Sequence, residues 1–228
     1  MEQDYDASPF NAIPRIVLLL AAAIIGTELA FQAASAGYIG GAEGVGWRVA
    51  ALNRLAFSPV LLERMIEAGL WVPDILVRLL SYPLVHLSFM HAAFVVVFVL
   101  ALGKLVAESF NAFAFLAIFF GSAVAGAVAY TLILNDPVAL VGGYPAAYGL
   151  IGSYSFVLWV GLGATGQNRL KAFQLIAALM TLQLAFGLFF GADNSWLADI
   201  AGFATGFCLS FLLVPGGIRR LRGLMQRR

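Results

Sequence analysis

Residues able to do chemistry are few in this chain, and most lie within apolar surroundings. Two histidines, His86 and His91, stand five residues apart in the run Tyr82-Pro83-Leu84-Val85-His86-Leu87-Ser88-Phe89-Met90-His91. An imidazole can carry a proton near neutral pH or ligate a metal. This pair has no glutamate between its members in the metalloprotease arrangement and no clear third ligand, so neither a metal nor a cofactor is expected. A plainer role for both is to cap and brace the loop they sit in. Two carboxylates, Glu28 and Asp199, interrupt apolar runs. A carboxylate in that position needs water or a partner, and usually marks a functional site. Tyr144 and Tyr148 lie among glycines in Val141-Gly142-Gly143-Tyr144-Pro145-Ala146-Ala147-Tyr148-Gly149. The expectation is a polar cavity formed by His86, His91, Tyr144, Tyr148 and Asp199. Within it Asp199 accepts a hydrogen bond from Tyr144 or a charge-assisted one from His91. Glu28 either lines the same cavity, bonds internally or sits protonated in the bundle.

Composition defines what must position these groups. The chain has 228 residues, of which 62% are hydrophobic and 11% charged, with a mean hydropathy of +0.93. Soluble domains carry about 45–50% apolar and about 25% charged residues, so this chain needs lipid as solvent. Its net charge of +1 excludes a general nucleic-acid binder, which shows a basic face. The one cysteine, Cys208, rules out an intrachain disulfide; it is expected as a small buried residue.

Crossing a hydrocarbon layer of about 30 Å takes roughly 20 apolar residues. Six segments qualify, at 13–34, 91–107, 112–134, 144–162, 170–190 and 195–214. The first lacks a basic leader and is longer than a signal sequence core, so it reads as a retained anchor. Residues 1–12 form a short leading segment, 13–216 the membrane domain and 217–228 a basic tail. With six spans both termini share one side, where Arg15, Lys104, Arg169, Lys171 and the tail lie against Arg48, Arg54, Arg64 and Arg78 opposite, which places both termini in the cytoplasm. The long first loop, 35–90, then lies on the opposite side. In it, Ser58-Pro59 starts a helix whose Leu61, Leu62, Met65 and Ile66 share one face, as in a helix lying flat in the interface. Trp47-Arg48 reads as an interfacial anchor.

The Tyr144 segment resembles the Gly-x-Ser-Gly segment of rhomboid intramembrane proteases, and two further motifs resemble that family in the same order along the chain. The His86–His91 run resembles its entry to the second membrane helix, with Val95 where the family has asparagine. Leu197-Ala198-Asp199-Ile200-Ala201-Gly202-Phe203-Ala204-Thr205-Gly206 resembles its His-x-x-Gly-x-x-x-Gly, with Asp199 at the histidine. The resemblance implies an all-α polytopic fold, a rhomboid-like bundle of six transmembrane helices with a long, partly embedded first loop. It also implies that Tyr144 holds the nucleophile position, Asp199 the base position and Val95 the oxyanion position, with Pro145 beside the nucleophile in place of glycine. Gly142, Gly149, Gly152, Gly202 and Gly206 are then helix-packing residues. Trp47-Arg48 and the Gly-x-x-x-Gly of the sixth helix also resemble features of the family's inactive members.

Four replacements at one site imply a pseudoprotease, similar in principle to derlins and inactive rhomboids, and the short, compact six-helix chain is expected in a bacterial inner membrane. Its partners would be membrane lipid and transmembrane client proteins, in regulation or quality control. Two other readings remain at this level. One is an intramembrane peptidase working through an unconventional site of Asp199 with His91 or Glu28. The other is a proton or solute conduit through Glu28, His86, His91, Tyr144 and Asp199.

Overall fold

The computed structural model describes residues 12–134, 136–191 and 194–214. The leading segment and the basic tail expected at the two ends thus lie almost wholly outside the described residues. Among the described residues six helices are long and apolar enough to cross a membrane. They are α1 (Arg15–Ser35), α6 (Phe89–Ser109), α7 (Ala112–Leu134), α8 (Tyr144–Ala164), α9 (Gln174–Phe190, preceded by a 3₁₀ turn) and α10 (Trp196–Leu213). Short helices α2 (Gly41–Gly44), α3 (Trp47–Leu55), α4 (Pro59–Glu67) and α5 (Pro73–Ser81) fill the first loop. Among the described residues there is no strand; Phe57 and Leu140 form one isolated bridge.

Local chemistry sets the helix ends. Ser88 caps α6 by accepting the His91 N–H at 3.2 Å, and Asn111 caps α7 by accepting the Ala114 N–H at 2.8 Å. Prolines open α4, α5 and α8, where a missing N–H costs no intrahelical bond. Ser58 precedes Pro59 as expected, yet its side chain makes no cap hydrogen bond.

α8 is the central column, packed against α7, α10 and α6. Of its most apolar window 56% is buried, against 6% for α9, so α9 is the most loosely held of the six. Small residues allow the tight α8–α10 crossing. A side chain on Gly206 would run into the Gly149 carbonyl, one on Gly202 into the Pro145 carbonyl, and one on Gly152 into the Phe203 carbonyl. Gly149 also accommodates the Ser122 hydroxyl of α7. Close backbone approach of this kind is how membrane helices gain packing energy without a hydrophobic drive.

The first loop is bound to the bundle by directional contacts. Phe57 and Leu140 exchange backbone hydrogen bonds at 3.0 and 2.9 Å. The buried Tyr82 hydroxyl donates to the Ala123 carbonyl at 2.8 Å. Within the loop, Arg78 donates to the Ala56 carbonyl at 3.0 Å and Ser81 to that of Leu55 at 3.0 Å. Two expectations are corrected here. Leu62 and Met65 of α4 are buried in the core shared with α7 rather than facing lipid, and α5 instead exposes Leu76, Val77 and Leu80. Cys208 is exposed rather than buried, because its helix face points away from α8.

Candidate functional site

The first loop, the α7–α8 loop and the α9–α10 loop meet at one end of the bundle. Tyr144 is the first residue of α8. The chain reaches it through Gly142, whose φ of 90° is a left-handed conformation suited to glycine. The Gly142 N–H donates to the Tyr82 carbonyl at 3.0 Å, and any side chain at Gly142 would strike the His91 ring. Gly142, expected as a helix-packing residue, thus does a different job: it lets the loop cross the faces of the two histidines.

Next along the chain, the Gly143 N–H donates to Nε2 of His86 at 3.3 Å. Accepting that bond requires an unprotonated nitrogen. Burial first, and then the neighbouring His91, push the His86 imidazole down to about 3, so it is neutral at physiological pH. Its ring meets His91 edge-on at 5.0 Å between centroids. His91 in turn stacks on Tyr144 at 4.5 Å and 28°. The two histidines therefore brace the turn into α8 and fix the Tyr144 ring.

Asp199 lies in the first turn of α10 and is 1% exposed. The partial positive charge of the helix N-terminus favours a carboxylate there. Its Oδ2 accepts from Nε2 of Gln183 at 2.8 Å, and Oε1 of Gln183 accepts from the Tyr148 hydroxyl at 2.9 Å. One donor on Asp199 is thus Gln183, a residue of α9 outside the expected cluster. Its signal in the sequence was one of two carboxamides, with Gln174, in a mostly apolar span.

A cavity of about 290 Å³ opens among these groups, lined by Tyr82, His91, Tyr144, Gln183 and Asp199 with loop residues Leu87, Leu140 and Ser195. A second space of about 510 Å³ lies between α6 and α9, lined by Phe94, Phe98, Tyr148, Leu179, Leu182 and Phe186. Tyr144 and Gln183 form part of both walls. The cavity thus brings together His91, Tyr144 and Asp199 of the expected set. His86 backs it through His91, and Tyr148 faces the neighbouring cleft. Val95 is fully buried and packs beside Gly143, where a Cβ would come within 2.7 Å of Cγ1. It lines neither space and has no hydrogen to donate.

Glu28 does not line the cavity. It is 2% exposed and holds Arg48 in a two-pronged pair, Nη2 to Oε1 at 2.6 Å and Nη1 to Oε2 at 2.8 Å. Gln32 donates to Oε1 at 2.9 Å. Nη1 of Arg48 also donates to the His86 carbonyl at 2.9 Å, and the guanidinium rests 5.2 Å from the Phe31 ring centroid. Glu28 beside Arg48 raises the guanidinium above its ordinary pKa. The expected surface anchor is corrected in half: Trp47 stays partly exposed, while Arg48 turns inward and ties the first loop to α1. In the α7–α8 loop, Asp136 accepts from the Val138 N–H at 2.9 Å and from Asn194 at 2.7 Å. Those bonds hold its carboxyl below the usual range and join the α7–α8 loop to the α9–α10 loop.

Among the described residues no three His, Cys, Asp or Glu side chains come together as a metal site requires. A family model described as the Rhomboid domain matches residues 73–216, more than half of the chain. No curated protein matches it.

Proposed function

Because this chain belongs to the rhomboid family, we propose that it keeps the family's membrane frame without serine-type peptidase chemistry, and uses that frame to bind transmembrane segments of other proteins. The single observation that carries the loss of chemistry is the arrangement of Tyr144, stacked on His91, with Asp199 bonded to Gln183. A phenol with a pKa near about 10 is a poor hydroxyl nucleophile toward a peptide, and a carboxylate near about 3.9 is a weak base for its proton. The developing oxyanion finds no donor at Val95, and the loss of one such donor costs about 10²–10³ in rate.

Client binding rests on the cleft between α6 and α9. Its wall is apolar and aromatic, with a polar strip of Tyr148 and Gln183 at the base, and α9 is the helix least held by its neighbours. A helix docked there can present polar or helix-breaking residues to Gln183 and the cavity behind it. An orientation with both termini cytoplasmic suits the distribution of Lys and Arg, and the membrane proposed is a bacterial inner one. The conduit reading is weakened because Glu28 is committed to Arg48, away from the cavity, and the same pairing removes Glu28 from an unconventional hydrolytic site.

The test combines two readouts on purified full-length protein. A fluorophosphonate probe is expected to leave it unlabelled, and a defined single-span segment carrying a photocrosslinker is expected to attach to α6 or α9 in both the native chain and Tyr144→Ala. Labelling at Tyr144, or crosslinking lost with the hydroxyl, contradicts the proposal.

A further inference from the structure

At the far end of α8 from the cavity, the link to α9 presents a cation held in a fixed plane. The guanidinium of Arg169, the first residue of the 3₁₀ turn Arg169–Phe173, lies 4.6 Å from the centroid of the Trp159 ring. It also rests against Gly163, where a Cβ would collide with Nε, Nη2 and Cζ. Trp159 and Gly163 are four residues apart on α8 and so share one face of it. A cation just beyond a helix C-terminus is favourable by itself, but the dipole asks only for charge. An indole beside a missing Cβ fixes the plane of the fork as well. Arg169 is exposed and makes no hydrogen bond or ion pair among the described residues, so its N–H groups are available to a ligand.

Charge and apolar surface nearby define that ligand. Residues 137–192 carry two charged side chains, Arg169 and Lys171, and no carboxylate. Glu108, at the same end of the bundle, is paired with Lys104 at 3.3 Å. From Trp159 an aromatic strip runs down the flank of α10. Phe211 lies 5.9 Å and Phe207 6.3 Å from the Trp159 ring, Phe173 lies 5.5 Å from Phe207, and Phe203 adjoins both. These rings are half-buried or exposed, and Phe211 to Phe203 spans about 12 Å of helix.

We infer that this corner is a site for an anionic phospholipid. The Arg169 fork takes the headgroup phosphate in a bidentate pair of hydrogen bonds, and an acyl chain lies along the strip from Trp159 to Phe203. The planar fork matches phosphate oxygens, and stacking on Trp159 removes rotamer freedom before the lipid arrives. A zwitterionic lipid offers the same phosphate but brings a choline cation to Arg169 and Lys171, so the anionic headgroup is preferred. A free phosphate or an acidic peptide has no use for the strip. The inference depends neither on client binding nor on which side of the membrane this end faces.

The experiment titrates the purified full-length chain in detergent with dioleoyl phosphatidylglycerol or dioleoyl phosphatidylcholine and counts bound lipids by native mass spectrometry. The first phosphatidylglycerol is expected to bind about fivefold to tenfold more tightly than the first phosphatidylcholine, the scale of one basic group at an anionic headgroup. Arg169→Gln, a change at an exposed position, should bring the two lipids to nearly equal affinity. Arg169→Lys keeps the charge without the fork and should lose at least about half of the preference. Trp159→Leu, which leaves Arg169 without its platform, should do the same. Equal affinity of the two lipids for the native chain overturns the inference. So does a preference that survives Arg169→Gln, which assigns the anionic lipid to the basic tail, or one kept in full by Arg169→Lys, which reduces the site to bare charge. Soluble glycerol phosphate at the same concentration is expected to displace no phosphatidylglycerol; displacement makes the headgroup alone the ligand and overturns the part given to the strip.

Discussion

Removing the Arg48 guanidinium should destabilise the bundle more than any other change in the first loop. In Arg48→Ala, Glu28 loses both prongs of its pair, at 2.6 and 2.8 Å, and remains on α1 at 2% exposure with Gln32 as its hydrogen-bond donor. Stranding one member of a buried ion pair costs about 3–5 kcal/mol. The His86 carbonyl also loses a charged donor, a bond of about 1.5–3 kcal/mol. The two losses share one guanidinium and do not add, so about 3–5 kcal/mol is the working figure. The assay is reversible denaturation of purified protein in mild detergent, read by helix circular dichroism. A double replacement, Glu28→Gln with Arg48→Met, leaves no buried charge and should recover most of the loss, since apolar substitutes for buried pairs are often neutral. A loss below about 1 kcal/mol in Arg48→Ala, the range of an exposed pair, refutes the reasoning and returns Arg48 to the membrane surface.

Replacing Gln183 with Leu removes its bonds to Tyr148 and Asp199. At about 0.6 kcal/mol for a typical hydrogen bond between membrane helices, amide exchange in α9 should rise about fivefold to tenfold, and unchanged exchange would show that α9 is held by something else. Gly206→Ala should cost about 1–3 kcal/mol by overpacking against Gly149. Gly161→Ala, which meets open space, serves as the near-neutral control, and equal stability of the two variants contradicts the tight α8–α10 crossing. Acidification provides a signed test of His86. Its folded value of about 3 lies below the unfolded 6.5, so between those values the unfolded chain binds more protons and stability falls as pH drops. The loss should reach about 2 kcal/mol at pH 5, and His86→Gln should flatten that limb. The lowered Asp136 acts only at still lower pH, near and below its ordinary carboxylate range. An identical slope in both proteins counts against a buried neutral His86.

The spans were readable because lipid thickness imposes a length and a composition on each of them. The third span falls at Ala112–Leu134 in sequence and structure alike, and α8 begins at Tyr144 as expected. Long-range pairing left no such trace. Glu28 and Arg48 are 20 residues apart on elements of different kinds, and no periodicity links them. The apolar face of α4 was visible, but hydropathy cannot tell a face turned to lipid from one turned to α7. Gln183 was visible as a polar interruption, yet its part in the site depends on α9 standing beside α8 and α10. Gly142 shows the same limit: its type was legible, while the His91 ring that demands it comes from the first turn of α6, far away in the sequence.

The most direct measurement of the central claim is cleavage of a defined single-span substrate in proteoliposomes. The native chain is run beside a version carrying Tyr144→Ser, Asp199→His and Val95→Asn. The account predicts no cleavage by the native chain and cleavage only where hydroxyl, imidazole and oxyanion donor are restored together. Cleavage by the native chain that is abolished in Tyr144→Phe contradicts it.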